Sequence, residues 1–94
     1  MFQMSIIEDG TIKLVGRLDS PEQAEAERFF SSIDEPREVD MSELTFISSA
    51  GLRVLIATQK RLEPKGIKLR LRGLSRHVRE IFRITRLDAV FDIE

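Results

Sequence analysis

The chain contains no cysteine, no tryptophan and no tyrosine, and it has a single histidine among 94 residues. The lack of cysteine removes disulfides, thiolate metal sites and a cysteine nucleophile together, and a cytoplasmic location is the expectation that fits it. With one imidazole, Ser–His chemistry would rest on His77 alone. That residue lies in Arg76-His77-Val78-Arg79, where Val78 takes the apolar side and His77 the solvated one. Without Trp or Tyr the chain lacks the stacking platforms on which single-stranded nucleic acid is held. It has no run of roughly 18 apolar residues, so no membrane span is expected. Its first residues, Met-Phe-Gln-Met-Ser, do not read as a secretory signal. The His, Asp and Glu residues show no metal-ligand spacing, and Gly51 stands apart from any glycine-rich phosphate loop. The expectation is a protein that is not an enzyme, with no metal, no cofactor and no direct nucleic-acid partner.

The formal net charge of −1 hides an asymmetry: residues 1–46 carry a net −7 and residues 47–94 a net +6. Halves of opposite sign within one domain attract each other. The basic set Lys68, Arg70, Arg72, Arg76, Arg79, Arg83 and Arg86 is therefore read as a solvated face that pairs with the acidic half.

The apolar pattern predicts a single small α/β domain over residues 1–94. Met4, Ile6 and Ile7, then Asp9-Gly10, then Ile12, Leu14 and Leu18 predict a hairpin, with Gly16 marking a bulge. Ser20, Pro21 and Gln23 predict a capped first helix that buries Ala26, Phe29, Phe30 and Ile33 and ends before Pro36. A short third strand is expected over Arg37–Met41. The second helix, starting near Ser49, would bury Leu52, Leu55, Ile56 and Leu62 and stop at Pro64-Lys65-Gly66. Strict alternation predicts a fourth strand over Ile67–Arg72. Ser75 caps a third helix with the stripe Val78, Ile81, Phe82 and Thr85. The order is ββαβαβα with a short terminal element, implying a mixed sheet with helices packed mainly on one face.

The most informative stretch is Glu38–Leu55. A short apolar strand leads into a loop with two adjacent hydroxyls, Ser48 and Ser49, followed at once by a helical pattern. A serine there is a common helix cap, worth about 1 kcal/mol over alanine. The exposed N–H groups of a helix start also tolerate an added phosphate. Asp19, Asp40 and Glu43 are candidates to gather around this loop, more as turn or helix caps than for acid–base work.

The segment Val39-Asp40-Met41-Ser42-Glu43-Leu44-Thr45-Phe46-Ile47-Ser48-Ser49-Ala50-Gly51-Leu52-Arg53 resembles the signature of STAS domains. Gly16-Arg17-Leu18-Asp19 is similar to the family's end of strand two. Leu74-Ser75 with Val78, Ile81-Phe82 and Thr85-Arg86-Leu87 is similar to its last helix and exit turn. The resemblance covers nearly the whole chain. It implies an anti-sigma factor antagonist in a bacterial partner-switching pathway, bound by a kinase-type anti-sigma factor and regulated by reversible serine phosphorylation. Carried over residue by residue, the phospho-acceptor is Ser49, with Ser48 as the alternative, and the partner-binding residues are Asp19, Ser48, Ser49, Gly51, Leu52 and Arg53. The partners implied are an anti-sigma factor that is also a serine kinase, and a phosphatase, with the chain itself a monomer or weak dimer. The sequence departs from the antagonist pattern in having Ser48 in place of aspartate and Arg53 in place of glycine. The alternatives are a STAS subunit of a lipid-transport ATPase complex and a STAS scaffold in a signalling assembly.

Overall fold

A computed structural model describes residues 2–94; Met1, part of the domain expected over 1–94, lies outside the described residues. The elements are β1 (Phe2–Ile6), β2 (Ile12–Leu18), α1 (Gln23–Ser31), β3 (Glu38–Ile47), α2 (Ser49–Leu62), β4 (Arg70–Arg72), α3 (Arg76–Ile84) and β5 (Asp92–Ile93). Single 3-10 turns at Ser20–Glu22, Glu63–Lys65 and Leu87–Ala89 join them. The five strands lie in sequence order, with β1–β2 antiparallel and the other pairs parallel. Each parallel step moves the same way across the sheet, so right-handed crossovers bring the three helices to one face. Onto that face project the buried Ile12, Leu14, Leu18, Val39, Met41, Leu44, Ile47 and Leu71. The opposite face carries ion pairs, including Lys13–Glu43 at 2.5 Å and Arg72–Glu38 at 2.7 Å. Among the described ion pairs only Arg72, with Glu38 and Asp40, joins the basic half to the acidic half; Arg70 pairs with Glu94 and Arg83 with Glu80, so the expected pairing of the basic face with the acidic half holds at Arg72 alone.

The strands depart most from the sequence reading. β3 does not stop at Met41 but runs ten residues, to Ile47. Lys13 pairs with Asp40 while Val15 pairs with Glu43, and Gly16 pairs with Leu44 while Arg17 pairs with Phe46. At each place β3 holds one residue more than β2, which is the signature of a bulge. The expected irregularity near Gly16 is thus real, with Gly16 at φ 97°, but the extra residues sit on the partner strand. Thr45 donates its hydroxyl to the Gly16 carbonyl at 3.0 Å, satisfying the interrupted ladder.

β4 is shorter than expected, three residues instead of six. Its predicted first half is held by a side chain. Gln59, buried on α2, donates to the Ile67 carbonyl at 2.9 Å and accepts from the Leu69 N–H at 2.8 Å. This primary amide replaces a strand partner.

Helix entries differ by one residue. Asp19, not Ser20, caps the turn into α1: its carboxylate accepts from the Ser20 N–H at 2.8 Å, and Glu22, not Gln23, accepts from the Asp19 N–H at 3.0 Å. α1 buries Ala26 and Phe30, with Ile33 just beyond it, while Phe29 is only partly covered. Arg61 from α2 donates to the carbonyls of Phe30 and Ile33 at 2.8 and 2.6 Å, closing the end of α1. α2 buries Val54, Leu55, Thr58, Gln59 and Leu62, so its inner face is turned from the expected Leu52 and Ile56, which are half-buried. Ser75 caps α3 by accepting from the Val78 N–H at 3.2 Å. On α3, Val78 and Phe82 are buried, Ile81 is half-buried, and Thr85 and His77 are exposed.

Candidate functional site

The site forms where β2 and β3 end and α2 begins. Leu18 and Ile47, the last residues of the two strands, are register partners, and the Ser48 N–H continues the ladder by donating to the Leu18 carbonyl at 2.9 Å. Ser48 keeps extended backbone angles, φ −88° and ψ 172°, and its hydroxyl accepts from the Gly51 N–H at 3.1 Å. Ser48 is therefore the cap of α2. Ser49, the other hydroxyl of the pair, is the first helical residue, in agreement with the expected helix start near Ser49. It is exposed, and among the described residues its hydroxyl makes no hydrogen bond. The two hydroxyls have separate situations: one is spent on the helix and the other faces solvent.

Gly51 fixes how closely this helix start approaches the sheet. A Cβ at Gly51 would lie 2.7 Å from Leu18 Cγ, 2.9 Å from the Leu18 carbonyl oxygen and 3.0 Å from Ile47 Cγ1. The carbonyl is backbone already committed to Ser48, so relief would require moving α2 itself. Overpacking of this kind costs about 1–3 kcal/mol, against a gain of about 1 kcal/mol from helix propensity. Gly51→Ala is therefore expected to lower stability by up to about 2 kcal/mol, or up to roughly 15 °C in Tm. A melting temperature equal to or above that of the native sequence would show that α2 stands clear of β2.

Asp19, half-buried, follows β2 beside this loop, and its carboxylate lies 3.9 Å from Arg17. The Arg17 guanidinium carbon sits 4.2 Å from the centroid of the Phe46 ring, on the open sheet face. The structure thus adds Arg17 and Phe46 to the neighbourhood. Their signal in the sequence was faint, because their pairing depends on the second bulge. Leu52 is half-buried against the core, and Arg53, one turn on from Ser49, is exposed.

Asp40 and Glu43 do not join this cluster. Glu43 pairs with Lys13, and the Asp40 carboxylate accepts from the Ser42 N–H at 2.9 Å and lies 3.9 Å from Arg72. Partial burial pushes the Asp40 carboxyl up, but hydrogen bonding by Ser42 and the charges of Arg72 and Lys13 outweigh it and hold it below its ordinary value. A carboxyl lowered by folding stabilises the native state above its unfolded pKa, and this is lost as pH falls through the lowered one. Asp40→Asn is expected to flatten part of the acid limb below about pH 4 in thermal melts. An unchanged acid limb would remove Asp40 from that role. Next to the same bulge, Gly73 (φ 71°) lies so near Ser42 that a Cβ would meet Ser42 Cβ at 2.9 Å. Asp40 and Ser42 therefore shape the strand, away from the serine loop.

Among the described residues no group of three or more His, Asp or Glu is placed to hold a metal ion, and no helix is long and apolar enough to cross a membrane. The family model described as "Mlab, STAS domain" matches residues 6–92. The chain belongs to the STAS family. The anti-sigma factor antagonists within this family are regulatory proteins, not enzymes. BtrV of Bordetella bronchiseptica, named for a proposed anti-sigma factor antagonist role, is 40% identical over 55 residues, covering 58% of this chain and 47% of BtrV. The match thus spans about half the length of that relative. An anti-sigma factor antagonist from Mycobacterium paratuberculosis superimposes with a TM-score of 0.81 at 20% identity, over 99% of this chain and 83% of that one. SpoIIAA in its unphosphorylated form gives 0.70 at 19% identity, covering 89% of this chain and 83% of SpoIIAA. The phosphorylated form of Bacillus SpoIIAA gives 0.72 at 18% identity, covering 100% and 91%. At these identities the likeness to the solved structures is one of fold.

Proposed function

We propose that this STAS protein is an anti-sigma factor antagonist that binds a kinase-type anti-sigma factor and is switched by phosphorylation of Ser49. The observation that carries the reading is the division of labour at the start of α2. Ser48 holds the helix, so Ser49 offers an exposed hydroxyl that the fold does not need. Asp19, Ser48, Leu52 and Arg53 form the surface around it, while Gly51, expected among the partner-binding residues, is buried beneath them against Leu18 and Ile47 and acts only by letting the helix start sit close to the sheet. A phosphate brings about −1.5 to −2 charges to the middle of that surface. The helix start accommodates them, whereas a partner packed against it loses its fit. Release then needs no internal rearrangement, and a phosphatase restores the binding form.

One feature favours a second reading, a STAS subunit that docks on a lipid-transport ATPase: Ser48 stands where the antagonist pattern has an acidic residue. Capture from native extract on the unmodified chain separates the two. Recovery of a protein with serine-kinase activity toward this chain, lost with Ser49→Asp as bait, supports the switch. Recovery of a transport ATPase that Ser49→Asp retains equally well would reject it.

A further inference from the structure

The exposed basic residues of α2 are not equivalent. Arg61 is committed to the carbonyls that end α1, and Lys60 lies in the last turn of the helix. Arg53 is exposed and, among the described residues, has no ion-pair partner. It stands four residues after Ser49, and residues so spaced are neighbours on a helix surface. An anion placed N-terminal to a cation at this spacing is the favourable order. The first turn of α2 contains no acidic residue, so nothing on the helix competes for the arginine.

We propose that Arg53 is the counter-ion that captures a phosphate placed on Ser49, and that this capture removes Arg53 from the partner surface. The proposal rests on Ser49 as the acceptor. The surrounding charges leave this role to Arg53. From β2, Arg17 is stacked on Phe46 and lies beside Asp19. From the 3-10 turn packed against α2, Glu22 accepts from the Asp19 backbone N–H, and α1, also packed against α2, has the anion Glu25 in its first turn and its cation Arg28 in its last, the end that Arg61 closes. Asp19 and Glu22 are anions and do not attract a phosphate, and Arg17 is already engaged. The guanidinium can present two N–H groups to phosphate oxygens across one helical turn. Phosphorylation then changes the surface twice: it adds a dianion at Ser49 and neutralises the cation at Arg53. In the unmodified protein the same cation is open to an acidic patch on the partner.

The test does not depend on any kinase. Phosphoserine is installed at Ser49 during synthesis, and its second ionisation is followed by phosphorus NMR in the native sequence, Arg53→Gln and Arg53→Lys. This ionisation falls ordinarily near pH 6. It is expected about 0.3 unit lower in the native sequence than in Arg53→Gln. Arg53→Lys should keep most of the difference, and about 1 M salt should shrink it. Arg53 is exposed, so the substitutions leave the fold intact, which melts of the unmodified variants verify. Coincident titrations of the native sequence and Arg53→Gln would overturn the proposal. Failure of a native kinase to modify Ser49 would instead reject the switch itself, and it leaves this titration unchanged, so the two failures are told apart.

Discussion

Gln59→Ala is expected to remove about 3 kcal/mol of stability, a large share of what a domain of this size possesses. The side chain is 3% exposed and makes two hydrogen bonds to the chain leading into β4, at 2.8 and 2.9 Å. Alanine leaves the Ile67 carbonyl and the Leu69 N–H without their partner, and each unmet buried group costs about 1–3 kcal/mol. The space vacated beside Ile67 and Leu69 adds to this. Gln59→Glu tests the donor separately. It retains an acceptor for Leu69 but cannot donate to Ile67 when ionised, and it places a charge in an apolar setting, so it should rescue little. Urea unfolding gives the comparison, with the midpoint falling at nearly constant slope. A loss under about 1 kcal/mol would mean that water or a backbone partner replaces the amide, and that β4 is held by its strand neighbours alone.

The second large effect is on binding. Ser49→Asp is expected to weaken the complex with the kinase-type partner by about 100-fold or more, the equivalent of about 2.7 kcal/mol. An added anion at the centre of the docked surface draws Arg53 away from the partner and must itself be desolvated against the acidic patch that Arg53 had faced. Ser49→Ala should bind within roughly threefold of the native chain, under 1 kcal/mol, because the hydroxyl makes no hydrogen bond that the fold requires. Titration calorimetry with the captured partner measures both. Equal affinities for the native chain and Ser49→Asp would show that the serine loop is a passive docking surface.

Much of this was legible in the sequence because local signals agreed with the fold. The Asp-Gly turn, the Ser75 cap, the apolar faces of α1 and α3 and the serine-rich entry to α2 each have a short-range physical cause. The order of elements followed from them, as did the family resemblance. β3 was misjudged because two bulges change its period. Its buried residues, Val39, Met41, Leu44 and Ile47, are spaced by two, three and three, which does not read as a strand. β4 was overestimated because the alternation Ile67, Leu69, Leu71 is real, while the partner of its first half is a glutamine from a helix. Where two capping types are adjacent the cap is ambiguous: at Asp19-Ser20 it falls one residue before the expected Ser20, and at Ser48-Ser49 it falls on the first of the pair. Sequence spacing cannot choose between such neighbours; the ladder bond from Ser48 to Leu18 does. That choice matters for function, since it separates the residue that holds the helix from the residue that is free to be modified.

The separation is tested most directly by incubating the native chain, Ser48→Ala and Ser49→Ala with the partner kinase and ATP and measuring intact mass. The native chain and Ser48→Ala should each gain one phosphate, with Ser48→Ala less stable by about 1 kcal/mol, and Ser49→Ala should gain none. A phosphate increment that persists in Ser49→Ala, or one that disappears in a folded Ser48→Ala, would contradict the assignment of Ser49 as the switch.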